Sequence, residues 1–416
     1  MTYTRQHLFY LGCFYMAAAI AVATGCDRSV VFPPDLGWEE PPVSPYINQP
    51  RVASTINGND ELSFVSTDSL DNPRLLGLAT VGFSPIELEG PHHLATSPDG
   101  EYIYFNLSNF VTNGGSGPHG AHGTGTVPGY LVKFEVRNNR QIAEALVDRN
   151  PGDVILSTDG STAFVSHYDL ALLQQQLTTG APAVDGYSSL YVIDTSSMTV
   201  LSQTVVCPTG HGMGLSPDGK TLYLVCTQSD QLAVLDVSDY TQPKILQKLN
   251  VGPAPGPVGE PAYAPYALSV YTDGTVWISD NGDGTVRVYD PKTMQMDPQR
   301  VIVVGGVAMF GDWTPDDKWF VVPHQGDDKV TAIEVATLNT VTLPLPKAAC
   351  LNVHALHVLP PGPAVGIALV CEGDHIMIPG TVVFIDMPPD FVGWAVHGYV
   401  PVGLFPDGVK PLPALM

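Results

Sequence analysis

Basic residues are scarce in this chain: 18 Lys and Arg stand against 41 Asp and Glu, for a formal net charge of −23 at pH 7. A field of that sign repels phosphate backbones, which argues against a nucleic-acid partner and favours cations or basic surfaces. Long apolar runs are scarce too. The one present, Leu8 to Val22, follows Arg5 and His7 and is short for a spanning helix, so it reads as a targeting segment and not as part of the fold. There is no Cys-x-x-Cys-His for haem, no Gly-x-Ser-x-Gly elbow and no phosphate loop. Asp280-Asn281-Gly282-Asp283-Gly284 looks calcium-like, but Gly282 and Gly284 stand where an EF-hand needs oxygen ligands, so a hairpin turn is expected there.

The apolar run closes on Ala23-Thr24-Gly25-Cys26, which resembles the bacterial lipobox, with Ala23 in place of the usual leucine. That resemblance implies cleavage after residue 25 and lipidation of Cys26, an ordinary secretory signal or single anchor being the alternative. Either way the body is expected outside the cytoplasm, in the cell envelope facing periplasm or surface, with the membrane as a partner through the lipid. Residues 26–50 carry six prolines from Pro33 to Pro50 and no apolar periodicity, as an extended tether would. The remaining residues, 51–416, form one body.

Within that body an apolar run, a tight polar turn and a second run of aromatic and β-branched residues recur six times. The turns include Ser97-Pro98-Asp99-Gly100, Ser157-Thr158-Asp159-Gly160, Ser216-Pro217-Asp218-Gly219 and Thr314-Pro315-Asp316-Asp317. Pro presets φ, Asp bonds back to the backbone and Gly accepts positive φ, so each predicts a hairpin. A third strand ending in Asp follows, as in Leu232 to Asp236 and Val286 to Asp290, and then a fourth. The unit resembles the YVTN type of bacterial β-propeller repeat, and Val234 to Leu246 is similar to the related LVIVD repeat. The resemblance implies an all-β propeller of four-stranded blades and says little about activity. Six units leave Arg51 to Gly82 and Gly408 to Leu415, which together supply three strands and one strand of a seventh blade, closing the ring. Six or eight blades are the alternatives.

The face bearing the entry to each inner strand also bears the long insertions: Leu107 to Gly129, Tyr168 to Gly186 and Val251 to Pro265. Such loops on a rigid ring suit a protein, glycan or small-molecule partner. Five residues before each turn stand His92, Gly152, His211, Tyr266, Met309 and His354, and the second strands end on Leu107, His167, Cys226, Asp280, His324 and Cys371. His93, His357, His119 and His122 lie near these in sequence. Imidazoles repeated at one structural position point to copper or another transition metal at the propeller mouth, with Met309 and Asp280 as further ligands. The alternative is a wet channel lined by histidine. Cys207 and Cys350 each lie four residues before His211 and His354, while Cys226 and Cys371 end the second strands of those same units. In an oxidising compartment this predicts the disulfides Cys207–Cys226 and Cys350–Cys371, with thiolate ligation as the alternative. Three functions stay open: a binding module acting through the loop-bearing face, a metal-binding or oxidoreductase protein, and a lactonase or lyase using a histidine with a carboxylate such as Glu260 or Asp280.

Overall fold

The computed structural model describes residues 42–84, 87–108, 123–361 and 365–415; the targeting segment, Cys26, His119 and His122 lie outside these residues. Among the described residues twenty-eight strands form seven four-stranded antiparallel sheets. The chain is a seven-bladed β-propeller. Blades one to six follow in chain order with inner strands Pro91–Thr96, Pro151–Leu156, Gly210–Leu215, Pro265–Val270, Asp312–Trp313 and Val353–Val358. The seventh takes its inner strand, Pro406–Leu412, from the C-terminus and pairs it with Arg51–Ile56, as expected.

Turn chemistry sets the local structure. In the third blade Ser216 Oγ donates to Asp218 Oδ1 at 2.6 Å, the same carboxylate accepts Lys220 N–H at 3.1 Å, and Gly219 sits at φ 71°. Each sheet is then apolar on both faces and buries them against its two neighbours. Seven apolar clusters result, each shared by adjacent blades. Phe64 packs with Phe105 across blades seven and one, Phe164 with Leu222 across two and three, and Trp277 with Phe320 across four and five. Each such side chain contributes roughly 1.5–3 kcal/mol on burial.

Both disulfides form as paired in the sequence, with Cα separations of 5.9 and 5.2 Å, but they join neighbouring blades instead of lying within one. Cys207 ends Thr199–Cys207, the outer strand of blade two, and Cys226 ends Thr221–Cys226 in blade three. Cys350 follows the outer strand of blade five, while Cys371 belongs to blade six. The outer strand of each blade ends on the same face where the next inner strand begins, so the first cysteine arrives from the preceding blade. Part of the expected tether is folded: Tyr46 is buried 5.3 Å from the Phe64 ring, and Ile47 O accepts Leu415 N–H at 2.9 Å. No helix among the described residues is long and apolar enough to cross a membrane.

Candidate functional site

One backbone device repeats in all seven blades. Gly90, Asn150, Thr209, Ala264, Val307, Asn352 and Phe405 have φ between 46° and 61°, and each stands two residues before a member of the innermost ring. Six of them are not glycine, and left-handed backbone there costs on the order of 1–2 kcal/mol per residue. Beyond each kink the inner strand bulges, for example between Pro91 and Leu94, between Gly210 and Met213 and between Val353 and Ala355. Bulges re-aim side chains. Carboxylates of the preceding blade fix the kinks: Asp60 accepts Gly90 N–H at 2.8 Å, Asp230 accepts Ala264 N–H at 2.8 Å, and Asp328 accepts Val353 N–H at 3.0 Å.

The ring so built holds His92, Gly152, His211, Tyr266, Met309, His354 and, in the closing blade, Asp407. Asp407 is the member that sequence reasoning missed. It lies one residue before the strand expected from Gly408, and Pro406-Asp407-Gly408 reads as a turn. With it, blades six, seven and one are contiguous, so His354, Asp407 and His92 are neighbours.

His93 is the hub. Its ring lies 4.4 Å from His92, 5.2 Å from His211, 5.7 Å from His354 and 4.4 Å from Phe310. His92, His93 and His211 bring candidate ligand atoms within 4.8 Å of one another, as do His93, His354 and Asp407. All of these residues are buried. Each of three imidazoles has its Nδ1 against a carboxylate: His92 on Asp407, His93 on Asp153 at 3.0 Å, and His354 on Glu372. The carboxylates are themselves held. Asp407 accepts Asn57 Nδ2–H at 2.8 Å and meets His354 Nε2 at 2.8 Å, and Asp153 accepts Met213 N–H at 3.1 Å. Among the described residues His93 Nε2 has no hydrogen-bond partner, and it stands 4.0 Å from Asp407 Oδ1.

Burial and charge compete across this cluster. Burial pulls the pKa of His354 down, but Asp407 and Glu372 outweigh it and lift the imidazole to about 10. Asp407 goes the other way: burial would raise it, and His354 and His92 hold it well below the carboxylate range. His93 is lowered, first by burial and then by His92, against the pull of Asp153. Buried negative charge therefore surrounds an assembly of nitrogens.

On the loop-bearing side, aromatic rings cover His211. Tyr168, at the end of the second strand of blade two, turns over His211 with a ring distance of 5.1 Å, and Tyr266 stacks on His211 at 4.0 Å. Both pack with Met309. Met309 is thus a packing residue beside the cluster. Burial pushes the Tyr168 phenol up to about 12. The helix Leu170–Thr179 follows, capped by Asp169, which accepts Leu172 N–H at 2.8 Å. The second expected ring points elsewhere. His167 Nδ1 meets Ser189 O at 2.8 Å, His324 Nε2 meets Thr331 Oγ1 at 2.7 Å, and Asp280 is bound by Arg287 Nη1 at 2.6 Å, each within its own blade. Strand pairing dictates this, since a second strand lies one strand outward from the channel. Glu260 lies in the connection before blade four and lines none of the cavities that touch the cluster.

A cavity of about 270 Å³ reaches His93 and Asp153 from the opposite side, along the lower halves of the inner strands. A second space beside it includes Pro98, part of a blade-one turn on the face opposite the insertions. His357 lines both. Asp153, Glu372, Asp312 and Lys410 join the site without having been signalled, because each shares it through a bulge or through a neighbouring blade.

No family model and no curated protein matches the sequence. Solved structures do match. The periplasmic gluconolactonase of Pseudomonas aeruginosa is 14% identical, with a TM-score of 0.64, 88% of this chain and 99% of that one being covered. Hydrazine synthase of Kuenenia stuttgartiensis is 18% identical at a TM-score of 0.57, covering 79% and 92%. Virginiamycin B lyase of Staphylococcus aureus is 9% identical at 0.53, covering 78% and 92%. What the chain shares with them is the propeller fold. At such identities activity does not transfer, and the site must speak for itself.

Proposed function

We propose that this protein is a metal-binding β-propeller whose ion, copper or a related transition metal, is held by His92, His93 and His211, with the His354–Asp407 pair beside them. The observation that carries the reading is the convergence of His92, His93 and His211, whose candidate ligand atoms lie within 4.8 Å of one another, with Nδ1 of His92 and of His93 set against carboxylates that orient the rings. Metal-ligating histidines are characteristically fixed in this way by outer carboxylates. Neutral imidazole suits copper, zinc, iron and nickel. When bound, such an ion supplies a Lewis acid at the head of the channel. The chain's own part is to orient His92 through Asp407 and His93 through Asp153, to balance charge through the His354–Asp407 pair held by Glu372, and to shield His211 through Tyr168 and Tyr266.

Elemental analysis after expression in defined medium tests this. About one equivalent of metal per chain is expected, lost in His93→Ala with the fold intact. A protein that carries none, and binds neither copper nor zinc at micromolar concentration, overturns the reading. Export and anchoring through Cys26 belong to the same proposal, supported by the apolar run that ends at Gly25. Cys26→Ala should abolish acylation, and normal lipid labelling of that variant would reject the anchor. The loop-bearing face supports a second reading as an interaction surface for a protein or glycan, since Ile376, Met377 and Ile378 are exposed on a blade-six loop.

A further inference from the structure

The cavity below the histidines has a second polar end. His357 Nδ1 meets Asp312 Oδ2 at 2.6 Å, and the same oxygen accepts Val358 N–H at 2.9 Å, so this carboxylate is occupied. Lys410 lines the cavity beside them, half-buried, and pairs with no carboxylate among the described residues. Burial would raise the Asp312 carboxyl, but His357 and then Lys410 hold it below its ordinary range; no ion pair closes on Lys410, so its ammonium can still accept an anion from the cavity.

The strand geometry fixes the span. His354 and His357 lie three residues apart on the inner strand of blade six, as do Asp407 and Lys410 on that of blade seven. At about 3.3 Å per residue the two polar layers are about 10 Å apart. Between them the wall carries Leu94, Ile155, Leu268, Val270 and Phe310, with Ser269, whose hydroxyl donates to Gly311 O at 3.0 Å. The volume of about 270 Å³ suits a small metabolite and not a polymer.

We propose that this cavity binds a small organic carboxylate about 10 Å long, its carboxylate between Lys410 and His357 and its far end beneath His93. The far end rests on the metal reading above; the carboxylate end does not. It enters from the face of the Ser-Pro-Asp-Gly turns, opposite the loops that the sequence pointed to.

Calorimetric titration with 6-hydroxyhexanoate, with 1,6-hexanediol as the uncharged comparison, tests the proposal on protein whose metal content is measured in parallel. The acid should bind at least about tenfold more tightly than the diol, the difference expected of a charge-assisted contact. Lys410→Met should remove that advantage, Lys410→Arg should restore most of it, and neither should change metal content or the thermal midpoint. Lys410-dependent binding to a protein that holds no metal would sustain the carboxylate site and overturn the metal centre alone. Equal binding of acid and diol, wild-type affinity in Lys410→Met, or no binding at millimolar concentration would overturn the proposal.

Discussion

The two sides of the innermost ring share a backbone and differ in everything else. On one side, blades six, seven and one present His354, Asp407 and His92 in an unbroken polar arc; on the other, blades four and five present Tyr266 and Met309. Both sides are reached through the same left-handed residue two positions earlier. The difference teaches how a symmetric scaffold makes an asymmetric site: the fold supplies seven equivalent positions, and side chains divide them into a charged arc and an apolar wall. His211, stacked on Tyr266 and near His92, bridges the two.

The contrast is broken most severely at Asp407. Asp407→Asn leaves the His354 imidazolium with one carboxylate fewer in a buried setting, and removing one member of a buried ionic group costs on the order of 3–5 kcal/mol. Its denaturant midpoint should fall accordingly and its metal content collapse. Met309→Leu on the apolar wall should cost less than about 1.5 kcal/mol and leave metal content unchanged. Equal effects of the two would dissolve the distinction.

Next in size are the inter-blade disulfides. Removing either as a double Cys→Ala change should cost about 3 kcal/mol, by the loop-closure relation for separations of 19 and 21 residues. Peptide mapping without reduction should show Cys207–Cys226 and Cys350–Cys371. A Cys226–Cys371 link would contradict the blade register.

Gly152 sharpens the comparison at smaller cost, because it is the gap through which His211 enters the polar side. A Cβ there would stand 3.2 Å from His211 Cδ2, so Gly152→Ala should displace the ring slightly and weaken metal binding. Asp153→Asn, which loosens His93, should weaken it about 10- to 100-fold. Both are read by metal titration, and unchanged affinity in both would mean that these residues do not orient the ligands.

The smallest effect lies outside the ring. His397 Nδ1 meets Asp71 Oδ1 at 2.7 Å on the outer rim, joining blade six to the blade-seven segment, and that contact raises the pKa of His397. A raised folded value means that the pair stabilises fully below the unfolded value of about 6.5 and loses its contribution as pH rises through the folded value. Thermal midpoints of wild type and Asp71→Asn should therefore differ slightly at pH 5.5 and converge at pH 9, a surface pair contributing under about 1 kcal/mol.

How much of the site was legible follows from how each residue is displayed. His92, His211 and His354 could be aligned because Ser-Pro-Asp-Gly-type turns count out the register of their blades. His167 and His324 were aligned as well, yet their strands pair inside each blade and carry them away from the channel. Asp407 could not be aligned, since its blade is assembled from both ends of the chain and has no turn of its own type to count from. His93 was a candidate only by its nearness to His92, and Asp153 was not signalled, for another reason. Strict alternation puts neighbours on opposite faces, and only the bulge admits both His92 and His93 to the channel.

The sequence by itself determined the repeat, the closure and both cysteine pairings, because turn residues, strand alternation and spacing act locally or through one repeated rule. Tertiary structure decided the rest. Closing the ring set His354, Asp407 and His92 side by side; bulges turned His93 and Asp153 inward; and Tyr168 and Tyr266 covered His211 on the side of the loops, while the cavity reaches the cluster from the other side. These are contacts between residues up to 315 positions apart, as in His92 with Asp407, and local physics has no means of writing them in advance.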